Sequence, residues 1–234
     1  MERCRDANRN ELLPLKRVSC MAAAKAESFF HRLAVANPVP RSELIFYSPY
    51  TLLVAVVLSA QATDRSVNNV TRSLFLAADT PSMMVALGED GVKAHIRTIG
   101  LFHNKARYII AMSRLLIDDH GSKVPSDRAS LEKLPGVGRK SASVVLNIAF
   151  FQPIIAVDTH VFRVCNRSGI AKGYTPLEVE EKLESIVPDR YRLHAHNWLV
   201  LHGRYVCKAR TAHCIKCNVQ DLCESVHTQS ISAK

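Results

Sequence analysis

Apolar residues recur at three- and four-residue spacing along most of the chain, which predicts one helix after another. A helical stretch from residue 22 through Phe29, Phe30, Leu33 and Val35 stops at Asn37-Pro38-Val39-Pro40, where the prolines block continuation. Ser48-Pro49 opens a second helix that runs to about Ala60, proline being comfortable in a first turn. Asp64 is the expected N-cap of a helix over 65–77, and Thr80-Pro81 begins a short one that Gly88 and Gly91 end. Further helices are expected over 92–99, 105–120 and 128–133, the second closed by Gly121 and the third capped by Ser126-Asp127. Residues 101–104 read as a link. After these come 141–151, 159–168, a helix begun by Thr175-Pro176, and 191–206. The β-branched run 154–157 is too short for a sheet, so the fold class is all-α, about ten short helices.

Composition narrows this picture. At 234 residues the chain can bury one large core or two small ones, and 47% hydrophobic content excludes disorder for its bulk. With 31 Lys plus Arg against 21 Asp plus Glu, the charge of +10 points to a polyanionic partner. The longest apolar run, 52–58, falls far short of the roughly 20 residues that cross a bilayer, so no membrane partner is expected. Residues 1–20 carry Glu2, Asp6 and Glu11 beside arginines, unlike a secretory or transit segment, and read as a disordered extension. A cytoplasmic protein is expected. Four of the seven cysteines crowd into the last part of the chain, a clustering that favours metal over disulfides in that compartment.

The chemistry concentrates at Leu134-Pro135-Gly136-Val137-Gly138-Arg139-Lys140-Ser141-Ala142. Gly136 and Gly138 permit positive φ, so the turn can aim several N–H groups at one anion in front of the helix that follows. A phosphodiester suits the net charge, and the pattern is that of a helix-hairpin-helix. Lys140 can be a solvated phosphate contact or, if burial or nearby charge makes it neutral, a nucleophile. Asp158, in Ala156-Val157-Asp158-Thr159-His160, is equally an N-cap or a carboxylate that accepts the lysine proton. Cys207, Cys214, Cys217 and Cys223 form C-x6-C-x2-C-x5-C, which suits either a [4Fe–4S] cluster or zinc. Lys208, Arg210 and His213 occupy the loop between the first two thiols, well placed for phosphates. Cys165 is expected in a core, with Cys4 and Cys20 incidental.

From about residue 24 to 223, the hairpin, Val144-Val145-Leu146-Asn147 and Val157-Asp158-Thr159-His160-Val161-Phe162-Arg163-Val164 together resemble the endonuclease III family of DNA glycosylase/AP lyases. The resemblance implies Lys140 as nucleophile, Asp158 as catalytic carboxylate and the four cysteines as ligands of a [4Fe–4S] cluster. It places Gln61 and Leu101 at positions that enter the duplex when a base is turned out, where an amide meets the orphaned base and an apolar wedge enters the stack. Without it, each is an ordinary loop or core residue. Gly136, Val137, Gly138, Arg139, Lys208 and Arg210 are then the expected DNA contacts. The implied architecture is a six-helix helix-hairpin-helix domain over 42–152 and a split cluster domain of 21–41 plus 153–234, with a DNA groove between them. The implied partner is double-stranded DNA bearing damaged bases, oxidised pyrimidines above all, or abasic sites. The protein would act as a monomer, associated with the nucleoid in a bacterium. A monofunctional glycosylase and a non-catalytic DNA-binding module are the alternatives.

Overall fold

A computed structural model describes residues 20–226. The readings placed on the extension, on Cys4, on the Cys20 side chain and on the tail from 227 lie outside the described residues.

Ten helices follow one another: α1 (Cys20–Ala36), α2 (Pro49–Leu58), α3 (Asp64–Ala77), α4 (Pro81–Ile96), α5 (Phe102–His120), α6 (Arg128–Glu132), α7 (Arg139–Phe150), α8 (Thr159–Ser168), α9 (Pro176–Ile186) and α10 (Asp189–Tyr205). Two 3₁₀ turns, Cys214–Lys216 and Gln220–Leu222, follow, residues 224–226 are again helical, and the described residues contain no strand. Among these residues no helix is long and apolar enough to cross a membrane.

Local hydrogen bonding explains why the Ser/Thr-Pro pairs start helices. Ser48 Oγ accepts from the Thr51 amide at 3.1 Å while Thr51 Oγ1 accepts from the Ser48 amide at 2.8 Å, and Pro49 sits where no N–H is needed. Thr80 and Thr175 cap α4 and α9 in front of their own prolines. Several boundaries differ from expectation, α7 and α10 each beginning two residues early, at Arg139 and Asp189. Thr63, not Asp64, caps α3, with its hydroxyl accepting from the Ser66 amide at 3.2 Å. The two helices expected around Gly88 form one element kinked there at φ 73°, and α5 begins at Phe102 rather than Lys105.

The helices enclose two hydrophobic cores. The first surrounds α2, whose residues from Tyr50 to Leu58 are all buried, and adds Leu74, Met84, Ile96, Ile109, Leu116, Leu131 and Leu146 from α3 to α7. Such side chains stabilise a fold by about 1.5–3 kcal/mol each when fully buried. The second core joins the two ends of the chain: Phe29 and Phe30 of α1 pack with Val161, Val164 and Cys165 of α8, Leu183 of α9, and Tyr191, Trp198 and Leu199 of α10. Trp198 Nε1 donates to the Asn37 carbonyl at 2.7 Å across 161 residues, and Lys25 pairs with Glu224 across 199.

Helix α7 belongs to the first core yet holds the second. Its buried Asn147 donates to the Leu193 carbonyl of α10 at 2.9 Å, and its Arg139 grips Glu180 of α9. These two attachments join the cores.

Candidate active site

The hairpin joins α6 to α7. Gly136 adopts φ 80°, and a Cβ there would lie 3.0 Å from Cβ of Tyr108, so both conformation and space require glycine. Gly138 differs from expectation: it is the extended N-cap of α7, at φ −98°, with open space around it. Val137 buries its side chain in the first core and gives its amide to the Leu134 carbonyl at 3.1 Å. The amides of the first turn of α7 have no intrahelical acceptor and can face an anion. Arg139 sits in that turn, but its guanidinium is engaged by the buried Glu180, through Nη2 at 2.8 Å and Nε at 3.3 Å.

One residue further, Lys140 is exposed on the wall of a cleft of about 600 Å³ that opens between the cores. Asp158, Gln61, His160, His196 and Arg204 line the same cleft. Lys140 comes from the first core and Asp158 from the junction with the second; among the described residues they form no ion pair with each other.

Asp158 caps α8: its Oδ1 accepts from the amides of His160 at 2.9 Å and Val161 at 2.8 Å. A carboxylate anchored through one oxygen keeps a fixed direction for the other. Gln61 and Leu101 both adopt left-handed backbone, at φ 55° and φ 60°, and both are exposed. That conformation costs a residue with a Cβ roughly 1–2 kcal/mol, so each turn is held by its surroundings. Leu101 heads α5 and does not line the cleft that contains Gln61.

Sequence reasoning missed three groups here. His196, buried behind Asp158, bonds the Ala156 carbonyl through Nδ1 at 2.8 Å, and burial holds its imidazole below the usual histidine range. His160 is held down for the same reason. Arg204 is gripped by Glu43 and Asp64, with the Tyr205 hydroxyl donating to Glu43. Burial pushes the Glu43 carboxyl up, but Tyr205 and Arg204 outweigh it and hold the carboxyl below the ordinary range. Only the acidic residue after Thr63 hinted at this network, and it reads equally well as a cap.

The four clustered cysteines lie away from the cleft. Cys207, Cys214, Cys217 and Cys223 line one small cavity in the second core, with Phe29, Val164 and Val219 around them, and all four are free thiols. Among the described residues, no three His, Cys, Asp or Glu side chains converge tightly enough to hold a single metal ion. Arg163 Nε donates to the Cys207 carbonyl at 3.0 Å, and Arg167 bonds the carbonyls of Lys208 at 2.7 Å and Ala209 at 2.8 Å. The loop carrying Lys208 and Arg210 is thus pinned by α8 while both side chains face outward. Cys165 is fully buried, and burial pushes its thiol up.

Comparison with known proteins identifies the family. The model of the HhH-GPD superfamily of base excision DNA repair proteins matches residues 54–189. Endonuclease III of Escherichia coli K12 is 54% identical over 204 residues, spanning 87% of this chain and 97% of that protein. Endonuclease III of Rickettsia conorii is 52% identical over the same shares. Among solved structures, a trapped endonuclease III–DNA covalent intermediate superposes with TM-score 0.83 at 41% identity, covering 89% of this chain and 98% of the other. A non-covalent endonuclease III–DNA complex gives 0.84 over the same shares. The chain belongs to the endonuclease III family, within the HhH-GPD superfamily of base excision DNA repair proteins.

Proposed function

We propose that this chain is a bifunctional DNA glycosylase/AP lyase in which Lys140 is the nucleophile and Asp158 the carboxylate that assists it. The observation that carries this is the meeting of Lys140, Asp158 and Gln61 in one cleft between two cores. The chain acts as a monomer on double-stranded DNA in the cytoplasm, with oxidised pyrimidines as its substrate class. Residues 42–152 form the helix-hairpin-helix domain, and 21–41 with the segment from 153 form the second.

The first-turn amides of α7 hold a phosphate and thereby fix the strand over the cleft. The damaged nucleotide turns out of the duplex, and Gln61 and Leu101 fill the gap it leaves. Lys140 Nζ then attacks C1′. A new C–N bond forms as the glycosidic bond breaks, and the base leaves with that electron pair. Loss of the amine proton and opening of the sugar ring give a protonated Schiff base. Removal of a C2′ proton then expels the 3′ phosphate by β-elimination. Asp158 accepts the lysine proton and stabilises positive charge on the sugar as the base departs. DNA covering the cleft, rather than burial in the free protein, supplies the desolvation that favours a neutral amine. Lys208 and Arg210 add phosphate contacts from the second core. The test is a duplex with one abasic site: a nick on its 3′ side is expected, whereas base release from damaged duplexes with every backbone left intact would establish a monofunctional enzyme instead.

Cys207, Cys214, Cys217 and Cys223 suit a [4Fe–4S] cluster. All four face one cavity, as the thiolate ligands of a single cluster must, and the chain belongs to the endonuclease III family, whose cysteine spacing theirs resembles. Such a cluster supplies cross-links that hold the Lys208–Arg210 loop in shape, and no step of the excision chemistry passes through it. The purified protein is expected to be brown, with four irons per chain on the order of the cluster's stoichiometry, and Cys217→Ser to lose the colour. A colourless protein with one zinc per chain overturns the assignment.

A further inference from the structure

Lys105 is the only buried lysine among the described residues, and it lies outside the machinery described so far. Its Nζ donates to the carbonyls of Leu58 at 3.0 Å and Ala60 at 2.7 Å, where α2 ends. A helix end leaves carbonyls without intrahelical donors and carries partial negative charge, so an ammonium fits there. Burial lowers the pKa of Lys105, and the two carbonyls hold the buried ammonium in place. The backbone of the same residue bonds a second turn: the Lys105 amide donates to the Leu101 carbonyl at 3.0 Å.

One residue therefore touches both exposed left-handed turns. Ala60 immediately precedes Gln61, and Leu101 is itself the other strained residue. Such conformations persist only where the surroundings over-determine them. We propose that Lys105 is a positioning residue that binds the Gln61 and Leu101 turns into one unit, so that amide and wedge enter the duplex together. The inference rests on the reading that Gln61 and Leu101 fill the vacated stack.

The test compares strand cleavage by the full-length protein at one abasic site in a duplex and in a single strand, where no stack has to be opened. A 2-aminopurine opposite the duplex site brightens when it is estranged from its neighbours. Lys105→Met keeps the length of the side chain and removes its donors. It is expected to lower the duplex-to-single-strand ratio of cleavage rates at least ~10-fold and to abolish the 2-aminopurine rise, whereas a purely structural role lowers both rates alike. Added to Gln61→Ala/Leu101→Ala, it should lower the ratio less than ~3-fold further, because it acts through those residues. Lys105→Arg, which keeps the cation, should stay within ~3-fold of the wild-type ratio, and Lys105→Gln gives the same comparison as Lys105→Met if the latter does not fold. An unchanged ratio in the neutral variants overturns the role of Lys105. If Gln61→Ala/Leu101→Ala itself leaves the ratio unchanged, the inserting roles fall, and with them the inference.

Discussion

Replacing Lys140 with Gln is expected to abolish the borohydride-trapped covalent complex with damaged DNA and to lower strand cleavage on the order of 10³-fold or more. The carboxamide has nearly the reach of the amine but no nucleophilic lone pair, so no C–N bond to C1′ forms and there is no imine to reduce. Lys140 is exposed on the cleft wall, so the change opens no cavity, and stability should stay within about 0.5 kcal/mol of wild type. DNA binding should persist, because the phosphate is held by backbone amides that the substitution does not alter. Losing one cation lowers the salt slope of binding by about one phosphate's worth at most. Denaturing gels of borohydride-treated reactions, with a binding titration beside them, read both outcomes. A trapped adduct formed by Lys140→Gln would remove Lys140 from the mechanism.

Asp158→Asn separates the two jobs that the structure gives one side chain. Asn caps a helix about as well as Asp, so the bonds to the His160 and Val161 amides survive, and the helix loses only about 0.3–1 kcal/mol of charge–dipole stabilisation. Base excision, by contrast, is expected to fall on the order of 10²–10⁴-fold, the range for a positioned acid–base group. Cleavage at a preformed abasic site should suffer less, because no base has to depart and less positive charge develops on the sugar. Asp158→Ala should add the loss of the cap, about 1 kcal/mol. Single-turnover excision rates set against melting curves distinguish these cases, and an Asn variant excising at the wild-type rate would leave Asp158 as a cap alone.

How much of this was legible in the sequence follows from the range of the interactions involved. Ser48-Pro49, Thr80-Pro81 and Thr175-Pro176 mark helix starts because their hydrogen bonds reach only three residues ahead. The kink at Gly88 was read as a break because a glycine at positive φ looks the same whether the helix stops or resumes. Lys105 read as the polar start of a helix; its burial depends on carbonyls 45 and 47 residues away, which no local pattern encodes. The pairing of Arg139 with Glu180, 41 residues on, is hidden from the sequence for the same reason. Arg204 draws on Glu43 and Asp64 from across the whole first core. Lys140 and Asp158 were found through a resemblance of motif; residue types alone left the phosphate contact and the cap standing beside the chemistry.

The second core carries a consequence for the order in which the molecule is made. Its first helix, α1, leaves the ribosome before every other described helix, yet its partners on α8, α9 and α10 are among the last. Synthesis runs from the N-terminus and domains generally fold as they emerge, so the first core can close around α2 while α1 has nothing to pack against. Phe29 and Phe30 must wait through the synthesis of that entire core, an apolar face without a cover. Closing so long a loop adds little entropy per residue, but it cannot begin until the far end exists. A chain cut short before α8 is therefore not a smaller version of this protein: it lacks every partner of α1 in the second core and presents a bare hydrophobic helix to whatever else is in the cell.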